Sequence, residues 1–460
     1  MSARLAFFLC GWVVCFSLVG RVQADDDPLP DFTKPVDNSP LNADKVDRSM
    51  GATLFQAPSL WDEDAEAVAK RLGWPEESRT STQSSYRLYP SANHPLTIFG
   101  AQAYSCVLYG GQDKPTEVSI VFVNVGDYPW KESYATEAAK LASSLSHGQE
   151  TQPQLSDDDL ADVQKKVQEN FEKALKDDAQ KITDALTALF GDPSHEKFGG
   201  GSETSEQVRR WDWQGHSFLL SIEPDKYVAL RIVTVAFADN YGKADKIERD
   251  DLRALLLQRV KRSESGDVVV TEIPMVDQGP KGYCVPATWE RYLRFLGIPA
   301  DMYVLAMAAG SGQQGTDLDA MIANVDSLVT LYHRRIDGFS GDLDMKMIAK
   351  NIDSGLPLMW TCDIHVPFEK AVSKRQKDRA AVTDWKQWAA TLETQDATEI
   401  PKEITGTPVD GGHQRMIIGY NEATGEIAIS DSWSKAFAIR WMTLREANAI
   451  NLGHSYVIEP

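Results

Sequence analysis

The stretch from Asp277 to Leu296, DQGPKGYCVPATWERYLRFL, constrains this chain more than any other. Trp289, Tyr292, Leu293 and Leu296 recur at the i, i+3, i+4, i+7 spacing of a helix with one buried face. Glu290, Arg291 and Arg294 fall on the other faces. Pro286 suits the first helical turn, where its missing N–H costs nothing, and Gly297 with Pro299 stops the helix. Cys284 is thereby placed at a helix N-terminus, where backbone N–H groups and the helix dipole favour the thiolate. A buried structural cysteine in a turn would show the same local pattern. What separates the two readings is Gln278, six residues upstream in the loop through Gly279-Pro280-Lys281-Gly282. A loop that returns a side-chain amide beside the cysteine's own N–H makes a two-donor pocket for a developing oxyanion.

This arrangement resembles the papain-like cysteine peptidases, in which the cysteine opens the central helix and a glutamine six residues before it supplies an oxyanion donor. The resemblance implies a histidine at the start of a strand, then a second strand ending in asparagine or aspartate. The sequence supplies Gly411-Gly412-His413-Gln414-Arg415-Met416-Ile417-Ile418-Gly419-Tyr420, a turn from Asn421 to Gly425, then Glu426 to Ser430 and Asp431-Ser432-Trp433. Hairpin geometry tests that spacing. If Tyr420 faces Glu426, Asp431 lies opposite Arg415 and diagonal to His413 on the same face, about 7 to 8 Å away. Asp431 can then hold the tautomer of His413 and support its charged form. His413 would take the Cys284 proton and later protonate the leaving amine.

Gly282-Tyr283-Cys284-Val285-Pro286-Ala287 and the segment from Leu305-Ala306 to Gly315-Thr316 are similar to the bacteriocin-processing, double-glycine branch of that superfamily. That branch uses aspartate as its third residue. The resemblance runs from about Val268 to Pro460. Members of the branch cut after double glycine, often as an N-terminal domain fused to an ABC transporter. Here there is no P-loop and no transporter span, and the resemblance is C-terminal, so the substrate does not transfer.

Met1 to Arg4 is short and basic, Leu5 to Gly20 is apolar, and Val22-Gln23-Ala24 precedes three aspartates. This is the layout of a cleavable secretory signal, with cleavage expected after Ala24 and a secreted or periplasmic product. The apolar run is shorter than the ~20 residues that span a bilayer. The formal charge of −20 grows more negative once Arg4 and Arg21 leave with the signal. Such a surface repels phosphate backbones and argues against nucleic acid and anionic lipid as partners. Cys10 and Cys15 leave as well, so Cys106, Cys284 and Cys362 remain, too few for a disulfide scaffold. Cys106 and Cys362 are either paired across a domain boundary or buried as small hydrophobes.

Residues 25–50 are acidic and proline-rich without helical or strand period, a flexible leader. From residue 51 to 262 two segments look alike, each with a short helical pattern, a Gly-x-Pro stop, an aromatic strand and two further strand-like runs. Tyr86 to Tyr89 is the aromatic strand of the first and Arg210 to Trp213 that of the second. A true duplication and shared helix punctuation both account for this. Tyr86, Tyr89, Trp211 and Trp213 are expected in packing positions rather than on a sugar platform. Residues 157–189 and 250–260 are read as charged helices. The charged, small-residue stretch Lys261 to Asp267 marks the boundary between the halves.

The expected fold class is therefore α+β. A signal peptide (residues 1–24), the leader (25–50) and an α+β region of unknown role (51–262) precede a papain-like domain (268–460). The long polar insertion between the strand Leu356 to Thr361 and His413, helical near Ala380 to Leu392, is expected to border the cleft as a lid. No cofactor is implied, and the other histidines lack metal-ligand spacing, so no metal is expected. The leading function is a thiol hydrolase of peptide or protein substrates using Cys284, His413, Asp431 and Gln278. An acyltransferase using the same thioester is the nearest rival, and a binding module that keeps the fold without turnover is a rival of another class.

Overall fold

The computed structural model describes residues 41–460, apart from residues 57–58, 146–154, 313–314, 405–407 and 409–411 and the side chains of residues 395–403. The signal segment and residues 25–40 lie outside the described residues. Asn42 accepts the Lys45 N–H and so caps helix α1 (Ala43–Met50), which sends Val46 and Met50 into the core. The flexible leader expected up to residue 50 therefore gives way to ordered structure at this helix. A single eight-residue helix with two apolar anchors is too short to show a period in an acidic sequence.

Helix α2 (Ala65–Leu72) ends in the left-handed Gly73 and leads into β1 (Glu76–Arg79), β2 (Gln83–Leu88), the small pair β3 (Thr97–Ile98) and β4 (Ala101–Gln102), β5 (Ser105–Gly111) and β6 (Lys114–Asn124). Helices α3 (Trp130–Leu145) and α4 (Asp157–Phe190) follow, then β7 (Ser194–Phe198), β8 (Glu206–Trp213), β9 (His216–Glu223), β10 (Tyr227–Thr234) and α5 (Val235–Asp239). The long strands form one antiparallel sheet ordered β1-β2-β5-β6-β10-β9-β8-β7. Each half is a helix followed by a four-strand meander, and the last strands of the two meanders pair at the centre. Tyr86 on β2 and Trp211 with Trp213 on β8 sit on the second strand of each meander, buried in one core. The two similar segments thus form two like units.

Alternation along the central strands divides this sheet's faces. Val118, Ile120 and Phe122 of β6 and Val228, Leu230 and Ile232 of β10 join a core with the stripe Val163, Val167, Phe171, Leu175, Ile182 and Leu186 of α4. The intervening Val121, Tyr227 and Ala229 face the other way, against Val276, Tyr283, Ala287, Met302, Tyr303, Ala306 and Met307. The N-terminal sheet is therefore covered on its second face by the C-terminal half.

That half begins earlier than expected. Helix α6 (Arg249–Gln258) buries Leu252 and Leu256 in the second core, and β11 (Val260–Arg262) pairs with β12 (Val268–Val270). The stretch Lys261 to Asp267 is a hairpin connection rather than a domain boundary, because an exposed turn has the same polar, small-residue composition as a linker. Helices α7 (Cys284–Phe295), α8 (Met302–Ala308) and α9 (Leu318–Leu331), β13 (Arg335–Ser340), α10 (Met345–Asp353) and β14 (Leu358–Cys362) follow. Then come α11 (Val366–Ala380), α12 (Trp385–Glu403), β15 (His413–Asn421), β16 (Glu426–Ser430), β17 (Arg440–Thr443), α13 (Leu444–Ala449) and β18 (Asn451–Glu459). The second sheet is ordered β11-β12-β15-β14-β18-β13, with β16 and β17 continuing from β15. Helix α7 packs on β15.

Two charged features differ from the sequence reading. Glu290, Arg291 and Arg294, assigned to the helix faces away from the core, are not solvated: Glu290 is 0% and Arg291 1% exposed. Tyr109 donates to Glu290 Oε1 at 2.8 Å, and the Arg294 guanidinium stacks 3.6 Å from the Tyr109 ring centre. The second face of α7 is thus a polar seam against the N-terminal sheet. The insertion before His413 also contains α11, whose Phe368 and Val372 are core residues, so its first half is scaffold and not lid. Cys106 and Cys362 are both free and buried, one in each core, and form no disulfide.

Candidate active site

Cys284 is the first residue of α7, half-buried, following Tyr283 at the cap position. His413 opens β15, and Asp431 directly follows the end of β16. The hairpin between them is not registered as the simplest turn predicts. Asn421, not Tyr420, faces Glu426, and the register then shifts by one residue between Ile417 and Gly419, so that Met416 faces Ser430. A bulge thereby returns the strands to the register in which Asp431 follows opposite Arg415, diagonal to His413. His413 Nε2 and Asp431 Oδ1 are 2.9 Å apart.

With Nε2 committed to the carboxylate, Nδ1 is the nitrogen left for the cysteine. The His413 imidazole and the backbone N–H groups of Gln414 and Val285 lie near enough to the Cys284 sulfur to favour its thiolate. Burial opposes ionisation of the thiol, but the imidazole with those N–H groups brings it below its ordinary value. Burial likewise disfavours the imidazolium, yet Asp431 and Cys284 together raise His413 above its ordinary value. Cys106 and Cys362 go the other way, burial pushing the Cys362 thiol up to about 12. Among the three thiols of the described residues, only Cys284 is partly exposed and brought below its ordinary value.

Asp431 is fully buried and carries more than one histidine bond. Arg415 Nε lies 3.0 Å from Oδ1, and Arg440 donates to Oδ2 at 2.6 Å. Burial alone would push this carboxyl up, but Arg415, His413 and Arg440 hold it well below the usual carboxylate range. Both arginines also reach one second carboxylate: Glu369 of α11 accepts from Arg415 at 2.9 Å and from Arg440 at 2.8 Å. Trp433 lies over the imidazole, ring centres 4.6 Å apart, and fills the space between His413 and the two guanidiniums. Arg415 could have been singled out from its place two residues after His413 on one strand face. Arg440 and Glu369 leave no local signal.

Gln278 is anchored to the same corner of the molecule. Its N–H donates to the Ser432 carbonyl at 2.8 Å, and the Ser432 hydroxyl donates to Gln278 Oε1 at 2.8 Å. Gln278 Nε2 donates to the Lys281 carbonyl at 2.9 Å. A carbonyl can only accept, so these two bonds fix which end of the amide is nitrogen, and one Nε2 hydrogen remains to be offered. Arg291 joins the helix to both neighbours. Its Nε donates to the Pro274 carbonyl at 2.9 Å and its Nη2 to Ser430 Oγ at 2.5 Å, and burial pushes the guanidinium down to about 10.

The four residues singled out from sequence thus fall into two connected groups. His413 and Asp431 are hydrogen-bonded with the Cys284 thiol beside the imidazole, and Gln278 is joined to this group through Ser432, the residue after Asp431. Residues 270–456 match the family Peptidase_C39 like. The chain accordingly carries a cysteine peptidase domain. Two solved structures are similar at low identity. One is the peptidase domain of Streptococcus ComA, a bi-functional ABC transporter involved in a quorum-sensing pathway, at 12% identity and TM-score 0.26, covering 41% of this chain and 99% of that one. The other is a double-glycine-motif protease from an AMS/PCAT transporter in complex with its leader peptide, at 12% identity and TM-score 0.24, covering 41% of this chain and 92% of that one. No curated protein matches the chain.

Proposed function

We propose that this chain, whose C-terminal half is a cysteine peptidase domain similar to the C39 family, is an exported hydrolase that cuts peptide bonds through a Cys284 thioester. The thiolate attacks the scissile carbonyl carbon, forming a C–S bond, and the carbonyl electron pair becomes an oxyanion. Gln278 Nε2 and the Cys284 N–H receive that charge. Collapse expels the amine, which takes its proton from the His413 imidazolium. Water then attacks the thioester with His413 as base, releasing the carboxylic acid and restoring the thiol. Asp431 holds the imidazole by Nε2 throughout and so keeps Nδ1 toward the sulfur. Export rests on the composition of residues 1–24.

The observation that supports this reading is the His413–Asp431 pair, whose carboxylate two arginines hold ionised, set beside a thiol at a helix N-terminus that its surroundings bring below its ordinary value. Cys284 in the folded full chain should react with iodoacetamide at pH 6 at least about tenfold faster than Cys106 or Cys362, and His413→Ala should slow the Cys284 reaction itself at that pH. Equal labelling of the three thiols would refute the reading.

A further inference from the structure

The N-terminal half has no part in the chemistry just described, yet it grips the loop that carries Gln278 from both sides. We propose that the N-terminal sheet is a built-in positioning element of the active site: through Glu77, Ser78, Tyr89 and Asp127 it sets the place of the Gln278 amide. This rests on the assignment of Cys284 and Gln278 above and adds a role for the N-terminal half.

The loop between β12 and α7 has no regular partner strand, so its backbone groups must be satisfied elsewhere. Three of them are met from the other half of the chain. The Met275 N–H donates to Ser78 Oγ at 2.8 Å, and the Asp277 N–H to Glu77 Oε1 at 2.7 Å. Tyr89 Oη donates to the Asp277 carbonyl at 2.5 Å. Glu77 is itself locked by Arg87 at 2.6 Å and Ser85 at 2.9 Å, both buried. Asp277 is the immediate neighbour of Gln278, so these bonds fix one end of its peptide frame.

The other end is Lys281, whose carbonyl accepts the Gln278 amide. Its ammonium is buried and pairs with Asp127 Oδ1 at 2.8 Å and Tyr303 Oη at 2.7 Å, with the Tyr89 ring centre 4.6 Å away. Two glycines mark how close the halves come. Gly279, between the anchored ends, has φ of 68°, and a Cβ there would lie 3.1 Å from the Tyr89 ring. A Cβ on Gly126 would lie 2.3 Å from Tyr283 Oη, on the residue before Cys284. A helix start and a donor loop are thus held in one frame by side chains some 150 to 200 positions away in sequence.

Tyr89→Phe removes one hydroxyl and leaves the ring in place, which makes it the sharpest probe. In the full-length chain, acting on one cleaved peptide, it should lower kcat by about tenfold, short of the ~100-fold or more that losing an oxyanion donor costs. The rate and pH profile of Cys284 alkylation should stay within about twofold of wild type, because the Cys284–His413 pair is untouched. In a Gln278→Ala background the same substitution should cost less than about twofold, since a misplaced amide that is absent cannot be missed. Ser78→Ala, at the other end of the contact, should behave alike. Equal losses in both backgrounds, no loss, or a parallel fall in alkylation would overturn the positioning role. Turnover retained by Cys284→Ala would instead refute the assignment on which the role rests.

Discussion

At the scale of single residues, the site depends on a buried charge cluster as much as on the residues that would touch substrate. Asp431 and Glu369 carry two negative charges and Arg415 with Arg440 two positive ones, so the cluster beside the Cys284–His413 pair is formally neutral. Glu369→Gln leaves one surplus positive charge in a low-dielectric region. That field favours thiolate over thiol and imidazole over imidazolium, so both midpoints should move to lower pH, by on the order of half a unit. The pH profile of Cys284 alkylation, and of turnover on its alkaline side, would show it; a shift to higher pH would contradict the role given to the cluster. Cys284, Gln278, His413 and Asp431 could be singled out in the sequence because each proposed role calls for a residue type at a definite order and spacing. Glu369 was not, since its partners lie on strands 46 and 71 residues away and nothing local requires an acid there.

At the scale of elements, the informative cases are α7 and α11. The apolar stripe of α7 was readable from its period. Its Glu290–Arg294 face was misread, because a polar helix face signals water unless a polar partner surface is known, and here the partner is Tyr109 of another sheet. Helix α11 was missed because only Phe368 and Val372 anchor it to the core while Arg375 and Arg379 form buried pairs. Arg379 bonds Asp267 Oδ1 at 2.6 Å and Glu426 Oε1 at 3.1 Å, tying the insertion to β16 and to the turn before β12. Arg379→Ala would strand the buried Glu426 and the half-buried Asp267 and should cost about 3 kcal/mol in denaturant unfolding. Removing Lys370 to Pro401 would take these anchors with it, so a loss of folding is expected rather than a mere change of substrate preference. The β15–β16 hairpin teaches a related lesson. The diagonal placement of Asp431 and His413 was foreseen from alternation, but through the wrong turn pairing, and the bulge near Ile418 that corrects it has no sequence mark.

At the scale of the molecule, the two halves share a face of buried apolar side chains and the polar seam along α7. Separating them would expose Val276, Tyr283, Met302, Tyr303 and Met307, the larger of which are worth roughly 1.5–3 kcal/mol each when buried. The full chain should therefore unfold in one step, with tryptophan fluorescence and far-UV dichroism giving coincident midpoints. Residues 268–460 expressed alone should aggregate or remain unfolded. Two separated transitions, or a soluble active fragment, would show that the N-terminal half is dispensable. Its two helix-and-meander units were visible as a repeated pattern, but the face they offer to the peptidase domain was not, because alternation shows that both sides of a strand are buried without showing against what.

The reading that Cys284 makes this chain a peptide hydrolase is tested most directly with a peptide library. Full-length wild type and Cys284→Ala are incubated with it under identical conditions and the products read by mass. Wild type should yield fragment pairs whose masses sum to the parent peptide plus one water, and Cys284→Ala should yield none. The same fragments at undiminished yield from Cys284→Ala would contradict it.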